Sequence, residues 1–303
     1  MRRRAGEVAG QVIVITGAAR GIGALTARRL AARGARVALL GLEPGELAHV
    51  CAACGPAARW WEVDVTDEQA LADAADEIQA AYGRVDAVVA NAGIAIGGPF
   101  RYSDAHSFTR VIEVNLLGSV ATARAFLPAL LDSQGYLLQV ASLAAITPAP
   151  LMAAYCASKS GVEAFANAVR AEVAHHGMGV GVAYLSWTET DMVRGADEHP
   201  VLRGMRAALP LLAGRVYPPE SAADALVRGI GRRASRVYGQ WWLAPVQLTR
   251  GALALCPARF AAAQMPGVES QWLVSGAGSD PVGAGGAADS RARSAPGPGR
   301  ARP

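Results

Sequence analysis

Tyr155 and Lys159 stand four residues apart in the segment Tyr155-Cys156-Ala157-Ser158-Lys159. On a helix that spacing puts both side chains on one face, a turn apart. Alone, neither is a useful acid or base at neutral pH, since they titrate near ~10 and ~10.4. Side by side, the ammonium favours the phenolate and draws the tyrosine pKa toward the working range. The composition sharpens the case, because the chain has 28 arginines and one lysine, and that one is Lys159. A guanidinium is a wide fork that keeps its proton, whereas an ammonium is a compact charge with three rotatable donors. The spacing alone fits equally a surface helix with an incidental Tyr and Lys. The rest of the chain decides against that.

A proton relay needs a reactant beside it, and the preceding elements are of a kind that binds one. Val12–Ile15 is a short β-branched run typical of a strand buried on both faces. It leads through Thr16-Gly17-Ala18-Ala19-Arg20-Gly21-Ile22-Gly23 into a helical stretch over Ala24–Arg33. Strand, glycine loop and helix together form a phosphate site, where a pyrophosphate approaches helix-terminal N–H groups. Further strands are expected at Arg36–Leu40, Trp60–Val65, Val85–Val89, Tyr136–Val140 and Val180–Leu185, with helices at Asp67–Tyr82, Asp104–Leu131 and Tyr155–His175. This alternation predicts an α/β fold, a Rossmann-type doubly wound parallel sheet in a single domain. Ligands of such sheets bind at the carboxyl ends of the strands. Gly17, Asp64, Asn91, Ser142 and Thr190 fall at or just past those ends.

In these motifs and their order, residues ~8–245 resemble the short-chain dehydrogenase/reductase family. Thr16–Gly23 is similar to its TGxxxGxG cofactor loop, and Asn91-Ala92-Gly93 to the NAG that steadies the sheet beside the cofactor. Asn115, Ser142, Tyr155 and Lys159 fall where the family has its catalytic tetrad. The resemblance implies an NAD(P)-dependent oxidoreductase that interconverts an alcohol and a ketone or aldehyde. Tyr155 would be the acid or base, Lys159 would lower its pKa and hold the nicotinamide ribose, Ser142 would hydrogen-bond the substrate oxygen, and Asn115 would hold a water. Asp64 and Val65 would lie at the adenine and Thr190 at the nicotinamide amide. The acid position after the second strand is split between Gly41 and Glu43, while Arg20 suits a 2′-phosphate, so the reading leans to NADP over NAD. One departure is plain: Leu185-Ser186 stands where the family has Pro-Gly, which puts the loop over the nicotinamide in question. The alternative, a cofactor-binding sensor or partner protein of the same fold without redox turnover, conflicts with an intact Ser142/Tyr155/Lys159 set.

Met192–Gly214 reads as a flexible segment over the substrate, with Val201, Leu202, Met205, Leu209, Leu211 and Leu212 interspersed with Arg194, Arg203 and Arg206. Leu143, Ile146, Leu151 and Met152 add apolar surface, so a small apolar alcohol or ketone is the expected substrate. Residues 1–10 form an N-terminal extension, 11–239 the catalytic domain, 240–265 an apolar extension and 266–303 a disordered tail rich in Gly, Ala, Ser, Pro and Arg. The extension suits a subunit interface or peripheral contact with a membrane. The family resemblance suggests a homodimer or homotetramer. Net charge is +4, of which residues 1–10 contribute +2 and residues 265–303 +1, which leaves no nucleic-acid footprint. Cys51 and Cys54 form a lone CxxC, and Cys156 and Cys256 have no partner at ligand spacing, so no metal site and a reducing, cytoplasmic location are expected. His175 and His176 read as cations at a helix end. The four-residue run Val12–Ile15 is too short for a signal-peptide core, and no stretch of ~18 apolar residues is found to span a membrane.

Overall fold

All five residues of β1 (Val12–Thr16) are buried, and the side chains alternate between two cores. Ile13 and Ile15 face one helical layer and Val14 the other, as the period of two requires. A computed structural model describes residues 8–210, 212–253, 257–275 and 281–294. Residues 1–7 and 295–303, with Leu211, Leu255 and Cys256, lie outside the described residues, as do the side chains of Leu253, Arg259 and Phe260.

The chain alternates through α1 (Gly21–Ala31), β2 (Arg36–Gly41), α2 (Pro44–Cys54), β3 (Arg59–Glu62), α3 (Glu68–Tyr82) and β4 (Ala87–Ala90). There follow α4 (Ala105–Ile112), a π-helical turn (Glu113–Leu117), α5 (Gly118–Asp132), β5 (Tyr136–Val140) and the single turn α6 (Leu143–Ile146). Next come α7 (Ala153–Val173), β6 (Gly179–Tyr184), α8 (Asp191–Glu198), α9 (Pro200–Ala207), α10 (Pro219–Arg232) and β7 (Arg236–Tyr238). The end of the chain carries α11 (Leu243–Leu248), α12 (Arg250–Leu253), α13 (Pro257–Ser275) and α14 (Gly283–Ser294). The seven strands form one parallel sheet in the order β3-β2-β1-β4-β5-β6-β7. The order reverses between β1 and β4, so their loops leave toward opposite faces and open a crevice at the carboxyl edge.

Three expectations are corrected. The helix expected over Asp104–Leu131 is interrupted by the π-helical turn, whose extra residue re-aims Asn115 into the core. Ala105–Asp132 has the length and hydropathy of a membrane span, contrary to the sequence reading, yet half of its apolar window is buried in the protein, as in a core helix. The segment expected to be a disordered tail, 266–303, contains the second half of α13 and all of α14. Gly286, Ala288 and Asp289 of α14 are buried, and so is Trp272 of α13.

The apolar extension is tied to α7 by a buried carboxylate. Glu163 accepts from Tyr184 Oη at 2.8 Å, Gln247 Nε2 at 3.1 Å and Arg250 Nη1 at 2.8 and 2.9 Å. Trp242 and Leu243 are buried there, while Trp241 (78% exposed) and Leu248 face outward. Truncating Arg250 to Ala leaves Glu163 short of its countercharge, and we expect a stability loss of about 1–3 kcal/mol. Urea unfolding checks this; an unchanged midpoint would mean that the contact holds nothing.

Candidate active site

The glycine loop is held shut by hydrogen bonds across the crevice. Asn91 N and Ala92 N donate to Thr16 Oγ1 at 3.0 and 3.1 Å, and Asn91 Nδ2 donates to the carbonyls of Thr16 and Gly17 at 3.0 and 3.2 Å. Two positions in this loop require glycine. Gly17 sits at φ 63° with a would-be Cβ 2.8 Å from Ala92 Cα, and a Cβ on Gly23 would come within 2.3 Å of Gly17 O. Thr16, Asn91 and Gly23 therefore build the cradle, and Gly17, Gly21 and Ile22 line it.

The loop opens on a cavity of about 1270 Å³ that runs along the carboxyl edge of the sheet. Glu43, Asp64, Val65, Ala92, Gly93, Ser142, Tyr155, Lys159 and Thr190 all line it, so the structure brings most of the expected site residues together. Asn115 stands one layer behind, 0% exposed. Its Oδ1 accepts from Ile94 N at 2.8 Å, and its Nδ2 donates to Ile94 O and Ser158 Oγ at 2.9 and 3.0 Å. Both ends of the amide are thus spent on the protein. At the nicotinamide side expected from the sequence, Thr190 is the residue before α8, and its Oγ1 donates to Thr188 O at 3.1 Å.

Tyr155 and Lys159 project from the first turns of α7, with the lysine 4% exposed. Lys159 Nζ donates to Val140 O at 2.9 Å and lies 5.8 Å from the centre of the Tyr155 ring. Burial lowers the ammonium pKa to about 8. Burial likewise pushes the phenol above its ordinary value, and the hydrogen bond to Ser142 works against that without reversing it. The expected lowering of the Tyr155 pKa by Lys159 is therefore not what this geometry gives. Both groups are desolvated, and the ammonium is engaged by a carbonyl rather than by the phenol oxygen. At neutral pH the phenol is therefore protonated, while the lysine remains mostly an ammonium whose pKa is drawn toward neutrality.

At the other end of the cavity, Arg20 is already occupied. Its Nε donates to Glu43 Oε2 at 2.7 Å, a second guanidinium nitrogen meets Glu43 Oε1, and Nη1 reaches Asp191 Oδ2 at 3.2 Å. The bond to Glu43 is the largest effect on the guanidinium and holds its pKa above the ordinary arginine value. Asp64 is also fully engaged, with Thr66 N and Oγ1 on Oδ1 at 2.9 and 2.8 Å and Arg110 Nη2 on Oδ2 at 2.9 Å. Burial opposes its charge, but these bonds outweigh it and its pKa lies below the usual range.

The Leu185-Ser186 departure is accommodated by the C-terminal extension. Ser186 N donates to Gln240 Oε1 at 3.1 Å, Leu143 N donates to Leu185 O at 2.8 Å, and neither residue 185 nor 186 takes a positive φ. A different element now holds the turn, so glycine is not required. Of the expected substrate-side residues, Leu143, Met152, Leu202, Met205, Leu209 and Leu212 line the cavity. Ile146, Leu151 and Val201 pack into the core instead. Leu151 does so at φ 67°, a strained conformation for leucine, held by Gly98 N on its carbonyl and by Val201, Leu202 and Trp272 around its side chain. Arg203 donates to Asp197 O, Arg206 pairs with Asp197, and Arg194 with Asp191 and Glu189; none of the three lines the cavity. The sequence reading missed Arg110, and it assigned Trp187, Gln240, Trp241 and Trp242 no place at the cavity or its turn. Arg110, Gln240 and Trp242 have partners distant in sequence, so no local pattern marks them.

The short chain dehydrogenase profile matches residues 11–200. A cis-4-hydroxycyclohexanecarboxylate dehydrogenase from Sinomonas cyclohexanicum is 34% identical over 233 residues, 76% of this chain and 92% of that protein. The probable oxidoreductase EphD of Mycobacterium tuberculosis is 33% identical over 235 residues, 73% of this chain but 40% of EphD, so this chain matches less than half of that longer relative. The crystal structure of gox2181 superposes with a TM-score of 0.71 at 25% identity, covering 77% of this chain and 96% of that one. The profile takes in the glycine loop, the crevice and the Tyr155/Lys159 helix together, and the chain belongs to the short-chain dehydrogenase/reductase family.

Proposed function

We propose that this protein is a nicotinamide-dependent oxidoreductase that interconverts an uncharged, apolar secondary alcohol and its ketone. The observation that carries the reading is the convergence of Ser142, Tyr155 and a buried Lys159 on the cavity that the glycine loop opens. The residues present fit a dinucleotide. The cradle at Gly17 and Gly23 is closed to any Cβ, backbone N–H groups at the start of α1 suit a pyrophosphate, and Asp64 and Glu43 stand at the adenosine end. When bound, the nicotinamide supplies or accepts the hydride. Lys159 would hold its ribose, and Thr190 its amide.

The protein's own part is the proton and the position. In reduction, Ser142 Oγ donates a hydrogen bond to the carbonyl oxygen as negative charge gathers there, and Tyr155 Oη delivers the proton. A phenol held above its ordinary pKa is protonated at neutral pH and so is ready as an acid. Buried Asn115 keeps the backbone of Ile94 and Ser158 of α7 in register behind the pair. The substrate end is lined by Leu143, Met152, Trp187, Leu202, Met205 and Trp241, and the charged lining residues other than Lys159 cluster at the adenosine end. A neutral ring or chain fits these walls. A carboxylate, such as the one named in the Sinomonas enzyme's substrate, would find no countercharge among the described residues that line these walls.

The cofactor preference we propose is NAD(H), against the lean of the sequence. Arg20 is already engaged by Glu43 and Asp191, and the charged residues lining this end of the cavity, Glu43, Asp64, Asp191 and Asp289 against Arg20, are mostly acidic, which disfavours a 2′-phosphate. Glu43→Gln should shift the ratio of NADPH to NADH affinity toward NADPH by about tenfold or more, ~1.4 kcal/mol. Parallel titrations followed by nicotinamide fluorescence read this out, and an unchanged ratio would contradict the assignment. Tyr155→Phe should lower kcat by about 10²–10⁴-fold while NADH affinity holds. Turnover of cyclic and long-chain alcohols would be compared in the two proteins; equal rates would remove Tyr155 from the chemistry, and loss of NADH binding would make its role structural.

A further inference from the structure

Helix α14 is not part of the sheet or its flanking layers, yet it is anchored at both of its ends. Near its start, Val282 N donates to Ala95 O at 2.9 Å. Gly283, at φ 77°, presses on α8 so closely that a Cβ would come within 2.4 Å of Asp191 O. Farther along, Asp289, 2% exposed, accepts from Arg110 Nη2 at 2.6 Å and Nε at 3.0 Å. Arg293 meets His106 Nε2 at 2.6 Å. His106 and Arg110 lie one turn apart on α4, so α14 bridges α8 to α4.

Between those anchors, Gly285, Gly286 and Ala288 line the same cavity as Arg20 and Asp64. A Cβ on Gly285 would sit 4.0 Å from Arg20 Cδ, so the residues facing the cleft are small where the helix passes the glycine loop. About 1270 Å³ remains with the helix in place, above the ~300–1,000 Å³ common for ligand pockets. The helix covers the cleft rather than filling it. Arg110 joins the two sides, because the guanidinium that holds Asp289 also donates to Asp64 Oδ2 and Thr66 Oγ1, both at 2.9 Å.

We infer that α14 is a strap forming the outer wall of the dinucleotide site, latched by Asp289 on Arg110, and that it lifts for the adenosine end of the cofactor to enter or leave. The inference rests on the nicotinamide reading above and adds a gate to it. A wall that must open slows entry and exit alike, so its mark is kinetic rather than a change in equilibrium affinity. Two full-length variants loosen it independently. Asp289→Ala removes the latch but leaves Arg110 paired with Asp64, and Gly283→Val drives a side chain into Asp191 without touching the latch.

Stopped-flow NADH binding, with amide hydrogen exchange of residues 283–294 in the absence of cofactor, tests the strap. In both variants the association and dissociation rate constants should rise together by about tenfold or more, with a smaller change in Kd and faster exchange in α14. Rates equal to the parent's in both variants, with exchange in α14 raised, would overturn the gate. Unprotected amides over α14 in the parent protein would overturn the docking itself. If the parent binds neither NADH nor NADPH, the nicotinamide reading fails and the strap fails with it.

Discussion

A buried ammonium is the constraint on which the rest of the cleft depends. Lys159 is the chain's one lysine, and it sits almost wholly out of water with its Nζ on the Val140 carbonyl. Such a charge is costly unless partners surround it, and the group answers by lowering its pKa toward neutrality. The surrounding architecture keeps it there. The carboxyl end of β5 supplies the carbonyl, the rigid first turns of α7 fix the side chain, and Gly93 leaves room, since a Cβ there would lie 3.4 Å from Nζ. Asn115, turned inward by the π-helical turn, ties that helix to the loop after β4.

The sheet delivers the same constraint at larger scale. A reversal of strand order between β1 and β4 opens the crevice, and the Thr16–Asn91 hydrogen bonds clamp its two lips. The late parts of the chain then finish the walls. Gln240 holds the Leu185-Ser186 turn, buried Trp242 backs the substrate end with the exposed Trp241 at its rim, and α14 faces the adenosine end. The cleft is thus assembled from residues at both ends of the sequence, with the cavity's polar groups sorted toward the cofactor side and its apolar groups toward the substrate side.

Much of this was legible because it is local. β-branched runs, the glycine loop and the YxxxK spacing each report on a few consecutive residues, and the parallel sheet follows from their alternation. What escaped was long-range or energetic. Arg110 meets Asp64 and Asp289 across 46 and 179 positions, which no window of sequence reveals. The π-helical turn differs from an ordinary helix by a single residue. Residues 283–294 look too poor in apolar side chains to fold, and α14 docks through glycine contacts and an ion pair instead. The pKa expectation for Tyr155 failed for a related reason: spacing predicts proximity to Lys159, but desolvation acts on both groups and depends on burial that spacing does not encode.

The composition of the chain allows the central constraint to be measured without interference. Protein labelled with [ε-¹³C]lysine carries one lysine side-chain resonance, that of Lys159, which can be titrated by NMR with and without NADH. A midpoint at about 8, together with displacement of the resonance when NADH is added, is the outcome expected of an ammonium buried at a nicotinamide site. Titration near ~10.4, the value of a solvated lysine, with no response to NADH would contradict both the burial and the site built around it.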